Sequence, residues 1–414
     1  MSSRSRFQTG DHTLVRQMNL SVILHHLLER APVSRATLAE MTKLNKATVS
    51  SLVRELIEYQ IVREIGIESA GMGRPGVLLE LNPGAGCIVS AEIGVDFISV
   101  ILTNFAVEMK WQHREQTHPG MGQPAIMSRA LSLMGEAIER GREAGSVFGL
   151  ALGVPGLVDQ ANGTLLFAPN LGWRDVPLGS MLREAFKIPV FVNNEANMAA
   201  LGEHYFGAAQ EHEEVLYISA GVGLGGGIVR NGRLVGGRMG FAGEFGHMTM
   251  DPDGELCNCG NRGCWETLVS QSALFRHVRL GIAGDGQFSV LSKMVKGDLN
   301  QLSVPIVVEA ARAGDAIARR ALDEVGRYLG SGIASLVNAL NPELVVFGGI
   351  LSVAGEFLLP IVEEELRRRT LYWPGHAVEV VLARHGLDAC VLGGVATVYQ
   401  AVLTQPSYMV RHAV

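Results

Sequence analysis

The stretch GEFGHMTMDPDGELCNCGNRGCWE, residues 243 to 266, crowds together the side chains best able to do chemistry. His247, Cys257, Cys259 and Cys264 are four donors that suit one Zn²⁺ in tetrahedral geometry, because imidazole and thiolate are its preferred ligands. The plain alternative is three reduced cysteines in a glycine-rich loop. Thiols this dense, in a 414-residue chain with only five cysteines, favour metal over a disulfide framework. Four protein ligands leave no place for a reactive water, so the predicted zinc is structural and fixes a loop. Glu244 and Glu266 flank these ligands. An ionised carboxylate only accepts hydrogen bonds, and converging acceptors match a molecule rich in hydroxyl donors, such as a sugar. Taken singly, each is equally a solvated loop residue or a helix cap.

A third carboxylate lies in FVNNEANMAALGE, residues 191 to 203, where an apolar run meets a polar knot and then a good helix former. Glu195 there sits at the exit of an apparent buried strand. It can take a proton from a hydroxyl as a general base, or it can merely hold that hydroxyl. The first role makes an enzyme, the second a sensor.

These residues must be positioned by a chain longer than one core usually serves, so two or three domains are expected. With 47% apolar residues, 18% charged and 50 glycines, the composition is that of a soluble globular protein with many tight turns. Apolar runs are broken well short of a membrane span, and the polar start MSSRSRFQTGDHT has no signal-peptide apolar region. The expectation is a cytoplasmic protein without membrane contact. The net charge of −6 is uneven: residues 1–83 carry ten Lys/Arg against eight Asp/Glu, and the rest 25 against 33. That excess permits nucleic-acid binding without establishing it.

In VRQMNLSVILHHLLERAP, Leu20, Ile23, Leu24, Leu27 and Leu28 share one helical face, and Pro32 ends it. Ser34 caps SRATLAEMTKL, and NKATVSSLVRELIEYQ follows with Val49, Leu52, Val53, Leu56 and Ile57 inward. The outward face of this second helix carries Lys46, Thr48, Ser50, Ser51 and Arg54, which suit a DNA major groove. Two β-like runs, IVREIGI and VLLELN, are joined by ESAGMGRPG. They predict a two-stranded wing with Arg74 at its tip, near a minor groove or phosphate. The alternative is a solvated amphipathic helix pair, but four elements in this order favour a winged helix-turn-helix over residues 1–83. Beyond Pro83 short apolar strands alternate with helices and glycine turns, which predicts an α/β architecture in two lobes with a ligand cleft between them.

The motifs ALGVPGLVD, NLGW, VNNEANMAALGE, GVGLGGGI, AGEFGHM and CNCGNRGCWE together resemble those of the ROK family, in family order, from about Cys87 to Ala401. That family contains sugar kinases and sugar-responsive repressors. The N-terminal winged helix matches the repressors' extension, so the similarity is to the XylR/NagC/Mlc-type regulators. The resemblance implies a two-lobed actin-like, ribonuclease H-like fold, with one lobe over 84–195 completed by about 385–414 and the second over 196–384. It implies sugar-facing Asn194, Glu195, Glu244, His247 and Glu266, with Asn170 beside the cleft by motif position. It also implies that His247 serves both zinc and sugar. Family kinases have Asp at the position of Glu195 and a small-residue phosphate turn where this chain has Glu92, Ile93, Gly94, Val95 and Asp96. Val222 replaces a phosphate-side Thr. Phosphoryl transfer depends on positioning and charge neutralisation, which these changes oppose.

The expected function is therefore a non-enzymatic, sugar-responsive repressor of carbohydrate genes. It would bind operator DNA as a homodimer or dimer of dimers. The rivals are a sugar kinase with a DNA-binding extension and a repressor controlled by a protein partner. Which sugar is read stays open.

Overall fold

The computed structural model describes residues 12–67, 76–285 and 289–404. It begins with α1 (His12–Arg30), a short strand β1 (Val33–Ser34), α2 (Arg35–Thr42) and α3 (Lys46–Glu58), then β2 (Val62–Ile67) and β3 (Val77–Leu81). Local chemistry sets the two helix starts. The Ser34 hydroxyl accepts from Thr37 N at 3.2 Å, and Asn45 Oδ1 accepts from Thr48 N at 2.8 Å. Each bond satisfies an amide that a helix start leaves unpaired. Val49, Leu52, Val53 and Leu56 are buried with Leu20, Ile23, Leu24, Leu27 and Leu38, the helix-turn-helix core expected from the periodicity. The wing differs from expectation. It has three strands in the order β1-β3-β2, because the extended backbone entering the Ser34 cap pairs with Leu78 and Leu79. Arg74 lies outside the described residues.

Next, β4 (Cys87–Ile93), β5 (Phe97–Asn104) and β6 (Met109–Gln116) form an antiparallel meander. After α4 (Gln123–Ala144), β7 (Val147–Val154) pairs with β4 in parallel. A flap of β8 (Leu157–Asp159), β9 (Thr164–Ala168) and β10 (Trp173–Val176), then α5 (Leu178–Phe186), leads to β11 (Val190–Asn194), parallel to β7. The sheet order is β11-β7-β4-β5-β6.

The same plan then repeats. Past α6 (Glu195–Phe206), a second meander comprises β12 (Glu214–Ala220), β13 (Leu224–Arg230) and β14 (Arg233–Leu234). Helices α7 (Trp265–Leu268), α8 (Gln271–Asp285), α9 (Val290–Met294), α10 (Val304–Arg312) and α11 (Ala316–Leu340) lead to β15 (Leu344–Gly348). Then α12 (Gly355–Arg369) and α13 (Tyr372–Ala377) precede β16 (Glu379–Leu382), and the order is β14-β13-β12-β15-β16. Three antiparallel strands followed by two parallel ones, occurring twice, is the two-lobed ribonuclease H-like, actin-like architecture expected. Strands β4 and β7 are buried along their whole length, whereas β6 alternates between half-buried and exposed, as an outer strand does.

The last helix, α14 (Ala389–Thr404), returns to pack on α6, β7 and β4. Residues 386–404 are long and apolar enough to cross a membrane by length and composition. Here Val391, Val395, Val398, Tyr399 and Val402 are fully buried, so its apolarity serves the core. The α6–α14 crossing needs a bare backbone: a Cβ at Gly393 would lie 1.6 Å from Met198 O. The helix α1 also packs on α14, and one apolar cluster runs from Leu20, Leu24 and Leu27 through Phe105 and Tyr399. His25 on α1 meets Tyr205 on α6 edge to face, with ring centroids 6.0 Å apart.

Candidate functional site

The donor atoms of His247, Cys257, Cys259 and Cys264 all lie within 4.8 Å of one another. His247 Nδ1 is 3.7 Å from Cys257 Sγ, and Cys259 Sγ is 3.7 Å from Cys264 Sγ. Thiolates ~2.3 Å from a shared zinc at tetrahedral angles are separated by ~3.8 Å, so the donor set fits that ion. Burial pushes the Cys257 and Cys264 thiols up. A divalent ion reverses that preference and holds them as thiolates. With Nδ1 toward the sulfurs, His247 Nε2 is turned away from them. The loop is folded by bonds of 2.8 Å from Cys257 N to Asn261 O, Met250 N to Gly263 O and Trp265 N to Met248 O. Fully buried Trp265 anchors it to α11 by donating Nε1–H to Tyr328 O at 2.9 Å.

Strand β11 runs directly into α6. Asn194 caps that helix, Oδ1 accepting from Ala196 N at 2.8 Å and Asn197 N at 3.2 Å, while Nδ2 donates to Gly156 O at 3.1 Å. One amide hydrogen of Asn194 is left for another acceptor. Glu195, the first residue of α6, faces β13, with Oε1 3.6 Å from where a Cβ would stand at Gly225. Its Oε2 is sealed from solvent and has no hydrogen-bond partner among the described residues. Burial, opposed by a backbone hydrogen bond and reinforced by Glu92, Glu244 and Glu266, raises its carboxyl well above the ordinary range.

The His-Cys₃ loop supplies the facing groups. Glu266 on α7 accepts from Leu224 N through Oε2 at 3.0 Å, and its Oε1 lies 3.6 Å from Cys257 Sγ. Glu244 is pushed up to about 7 by burial and by Glu266. A Cβ at Gly223 would lie 2.6 Å from Glu266 Oε2 and 2.8 Å from Asn170 Nδ2, so only glycine lets both reach this spot. The fold thus gathers Glu195, Glu244, His247, Glu266 and Asn170 where β11–α6, the β12–β13 turn and the His-Cys₃ loop meet. The sequence reading missed two partners here. Asn258 donates to Asn170 at 2.8 Å, and Gln160 donates to Asn193 at 3.0 Å.

Below this site, the turn from Glu92 to Asp96 joins β4 to β5. A Cβ at Gly94 would strike the Phe97 ring at 2.4 Å, and Arg114 stacks on that ring at 3.8 Å. Glu92 is 7% exposed and hydrogen-bonds Cys390, and its Oε2 has no partner among the described residues. Burial, partly offset by Arg114, pushes it from 4.5 up to about 7. In that pH window the native state keeps a proton that the unfolded chain has released, so stability falls as pH rises through it. Glu92→Gln, which never ionises, is expected to gain about 3 kcal/mol relative to the wild type between about pH 5 and about pH 8. Urea denaturation at both pH values checks this. An equal difference at both would mean that Glu92 is already ionised in the native protein.

On the winged helix, Lys46, Ser51 and Arg54 are exposed, and Thr48 and Ser50 half-buried. Ser50 and Arg54 line a concavity of about 600 Å³ with Arg35, Arg63 and Asn82. Arg35 pairs with Glu64 at 2.7 Å and Arg63 with Glu80 at 2.5 Å, whereas Arg54 forms no ion pair among the described residues.

A winged helix joined to a duplicated ribonuclease H-like pair of lobes, with a His-Cys₃ cluster over the cleft, is the architecture of a ligand-binding actin-like protein carrying a DNA-binding-type extension. The ROK family model matches residues 88–401, and the chain belongs to the ROK family. It is 34% identical over 410 residues to the xylose repressor of Caldicellulosiruptor bescii, covering 96% of this chain and 100% of that protein. Among solved structures it resembles a ROK family transcriptional regulator homologous to the E. coli MLC protein, with a TM-score of 0.80, 30% identity and coverage of 94% and 97%. A ROK glucokinase from Streptomyces griseus, solved with glucose and AMPPNP, matches at a TM-score of 0.69 and 33% identity. That match spans 76% of this chain and 100% of the kinase. Relatives aligned over nearly the whole chain are thus named regulators, and kinases are structural neighbours of part of it.

Proposed function

We propose that this chain is a sugar-responsive transcriptional repressor of carbohydrate uptake or catabolism genes, binding its effector between the two lobes and operator DNA through the winged helix. The single observation that carries the site assignment is Glu195 Oε2, sealed from solvent and without a hydrogen-bond partner among the described residues, close enough to Glu244 and Glu266 to feel their charge. Buried polar groups are normally hydrogen-bonded, and hydroxyls of a polyol would satisfy these. In this reading Zn²⁺ is held by His247, Cys257, Cys259 and Cys264 and supplies only rigidity. The chain works in the cytoplasm as a homodimer or dimer of dimers on a pseudo-palindromic operator.

A non-enzymatic role is supported on the nucleotide side. The space over Gly94 is filled by Phe97, on whose ring Arg114 stacks, and two further carboxyls, Glu92 and Asp96, sit in the turn where phosphate charge would need neutralising. The helix α6 offers the mechanical link. Glu195 is at its first position and Tyr205, against His25 of the winged helix, is ~15 Å along it. A sugar that binds the closed lobes better than the open ones shifts α6, and α1 with it.

Titration calorimetry of the zinc-loaded protein against D-xylose, D-glucose and N-acetyl-D-glucosamine, repeated with ATP and Mg²⁺, tests the reading. One saturating sugar without sustained heat from turnover supports it. Sustained turnover would make the chain a kinase, and silence toward all sugars would point to a protein partner. For DNA, Arg54→Ala is expected to weaken operator binding and lower the salt dependence by about one counterion, as a lost phosphate contact does. An unchanged salt slope in a mobility-shift titration would place Arg54 off the phosphates.

A further inference from the structure

We infer that Asn258 is a positioning residue for sugar recognition: it fixes which face of the Asn170 amide the cleft presents. The inference rests on the effector reading above. Asn258 lies between two proposed zinc ligands, Cys257 and Cys259, on the loop anchored to α11 through Trp265. Asn170 lies between β9 and β10, in the flap whose Leu165, Ala168, Leu171 and Trp173 belong to the core of the first lobe. The bond from Asn258 Nδ2 to Asn170 Oδ1, 2.8 Å, therefore joins the zinc loop of one lobe to the flap of the other across the cleft mouth.

The direction of that bond has a chemical consequence. With Oδ1 engaged by Asn258, the Asn170 amide is turned so that Nδ2 stands 2.8 Å from the Cβ point of Gly223. Glu266 Oε2 is 2.6 Å from the same point. Asn170 thus offers a donor beside the Glu266 carboxyl oxygen, on the wall that also carries Glu195 and Glu244. A sugar hydroxyl both donates and accepts, so a donor next to an acceptor can hold one hydroxyl from both sides. If the amide turned over, Oδ1 would face the Glu266 carboxylate, two acceptors with no proton between them. The fold reserves the donating orientation by placing a second donor, Asn258, on the other side of Asn170. The zinc loop would thereby act on the sugar at one step removed, through a side chain that touches neither the metal nor the ligand.

The test is titration calorimetry on the full-length zinc-loaded chain with D-xylose, D-glucose and N-acetyl-D-glucosamine, comparing wild type, N258A, N258D, N170A and the N170A/N258A double variant, with zinc stoichiometry measured on each. N258A should weaken binding of the preferred sugar about fivefold to tenfold, the scale of one lost hydrogen bond. N258D, which can only accept, should turn the Asn170 amide over and weaken binding by more than N258A. N258A should add nothing in the N170A background, an interaction that a general loosening of the loop would not produce. Full zinc content with undiminished sugar affinity in N258A overturns the inference while leaving the effector reading standing, as do additive losses in the double variant. Absence of saturable binding by the wild type to every sugar overturns both.

Discussion

Cys259→Ser is expected to lose zinc and, with it, at least about a hundredfold in sugar affinity, while operator binding survives and no longer responds to sugar. The physical reason is where the recognition groups sit. Glu244 precedes His247 by three residues, Glu266 follows Cys264 by two, and Asn258 is bracketed by Cys257 and Cys259. Without the ion, buried thiols are neutral and hold one another weakly, so the segment between β14 and α7 is left to backbone bonds and to Trp265. Trp265, fully buried, keeps Glu266 near its place, whereas residues 257–261 keep only their internal backbone bonds and two exposed side-chain bonds, Asn258 to Asn170 and Asn261 to Thr249. The loss is therefore expected to be local. A winged-helix core built on Leu20, Ile23, Leu24, Val49 and Leu52 contains no residue of this loop, so DNA binding persists. Zinc content by mass spectrometry, sugar calorimetry and operator mobility shift, run on the same preparation, check each part. A zinc-free protein with unchanged sugar affinity would show that the loop is rigid without metal and would remove the ion from the mechanism.

How far the sequence carried is visible in particular residues. The cap on α2 was legible because Ser34 acts within three residues of itself; Asn45, which caps α3 in the same way, was not singled out. The apolar stripes of α1 and α3 were legible because helical period is a local property. The metal cluster was legible because three of its donors lie within eight residues. The strand β1 was not, since two residues cannot show a period and its partner, β3, lies some forty-five residues on. Asn258 escaped for the same reason: its partner Asn170 is 88 residues away, and nothing in CNCG announces it. Glu203 reads as an ordinary helix glutamate. In the fold it is fully buried and accepts from Ala208 N, Arg384 N and His385 N, tying the end of α6 to the turn before α14. The motifs placed Glu195 at the cleft, but the burial that favours its protonated form, reinforced by Glu92, Glu244 and Glu266, comes from residues distant in sequence.

That protonation separates a reader from a base. Burial and the three neighbouring carboxyls raise the Glu195 carboxyl well above the ordinary range, which favours its protonated form, with one O–H donor and one acceptor for a ligand. A glutamine also offers a donor and an acceptor, with one extra N–H, in nearly the same shape. Glu195→Gln is therefore expected to bind the effector sugar within about tenfold of the wild type, and sugar should still release the operator. Glu195→Ala leaves a sugar hydroxyl and the facing carboxyls unsatisfied in a dry site, and is expected to weaken binding by about a hundredfold or more. Were Glu195 instead a general base for phosphoryl transfer, the pattern would invert. Glutamine cannot take a proton, so Glu195→Gln would abolish turnover with ATP and Mg²⁺ while leaving sugar binding intact. The two variants, titrated with sugar alone and then assayed with ATP, thus give different results under the two mechanisms. Near-wild-type sugar binding by glutamine, loss by alanine and no turnover in any of the three proteins is the result the geometry predicts. Severe loss of binding in Glu195→Gln would instead show that the carboxylate binds sugar in its ionised form, with the ligand itself supplying the donors that bring its pKa down.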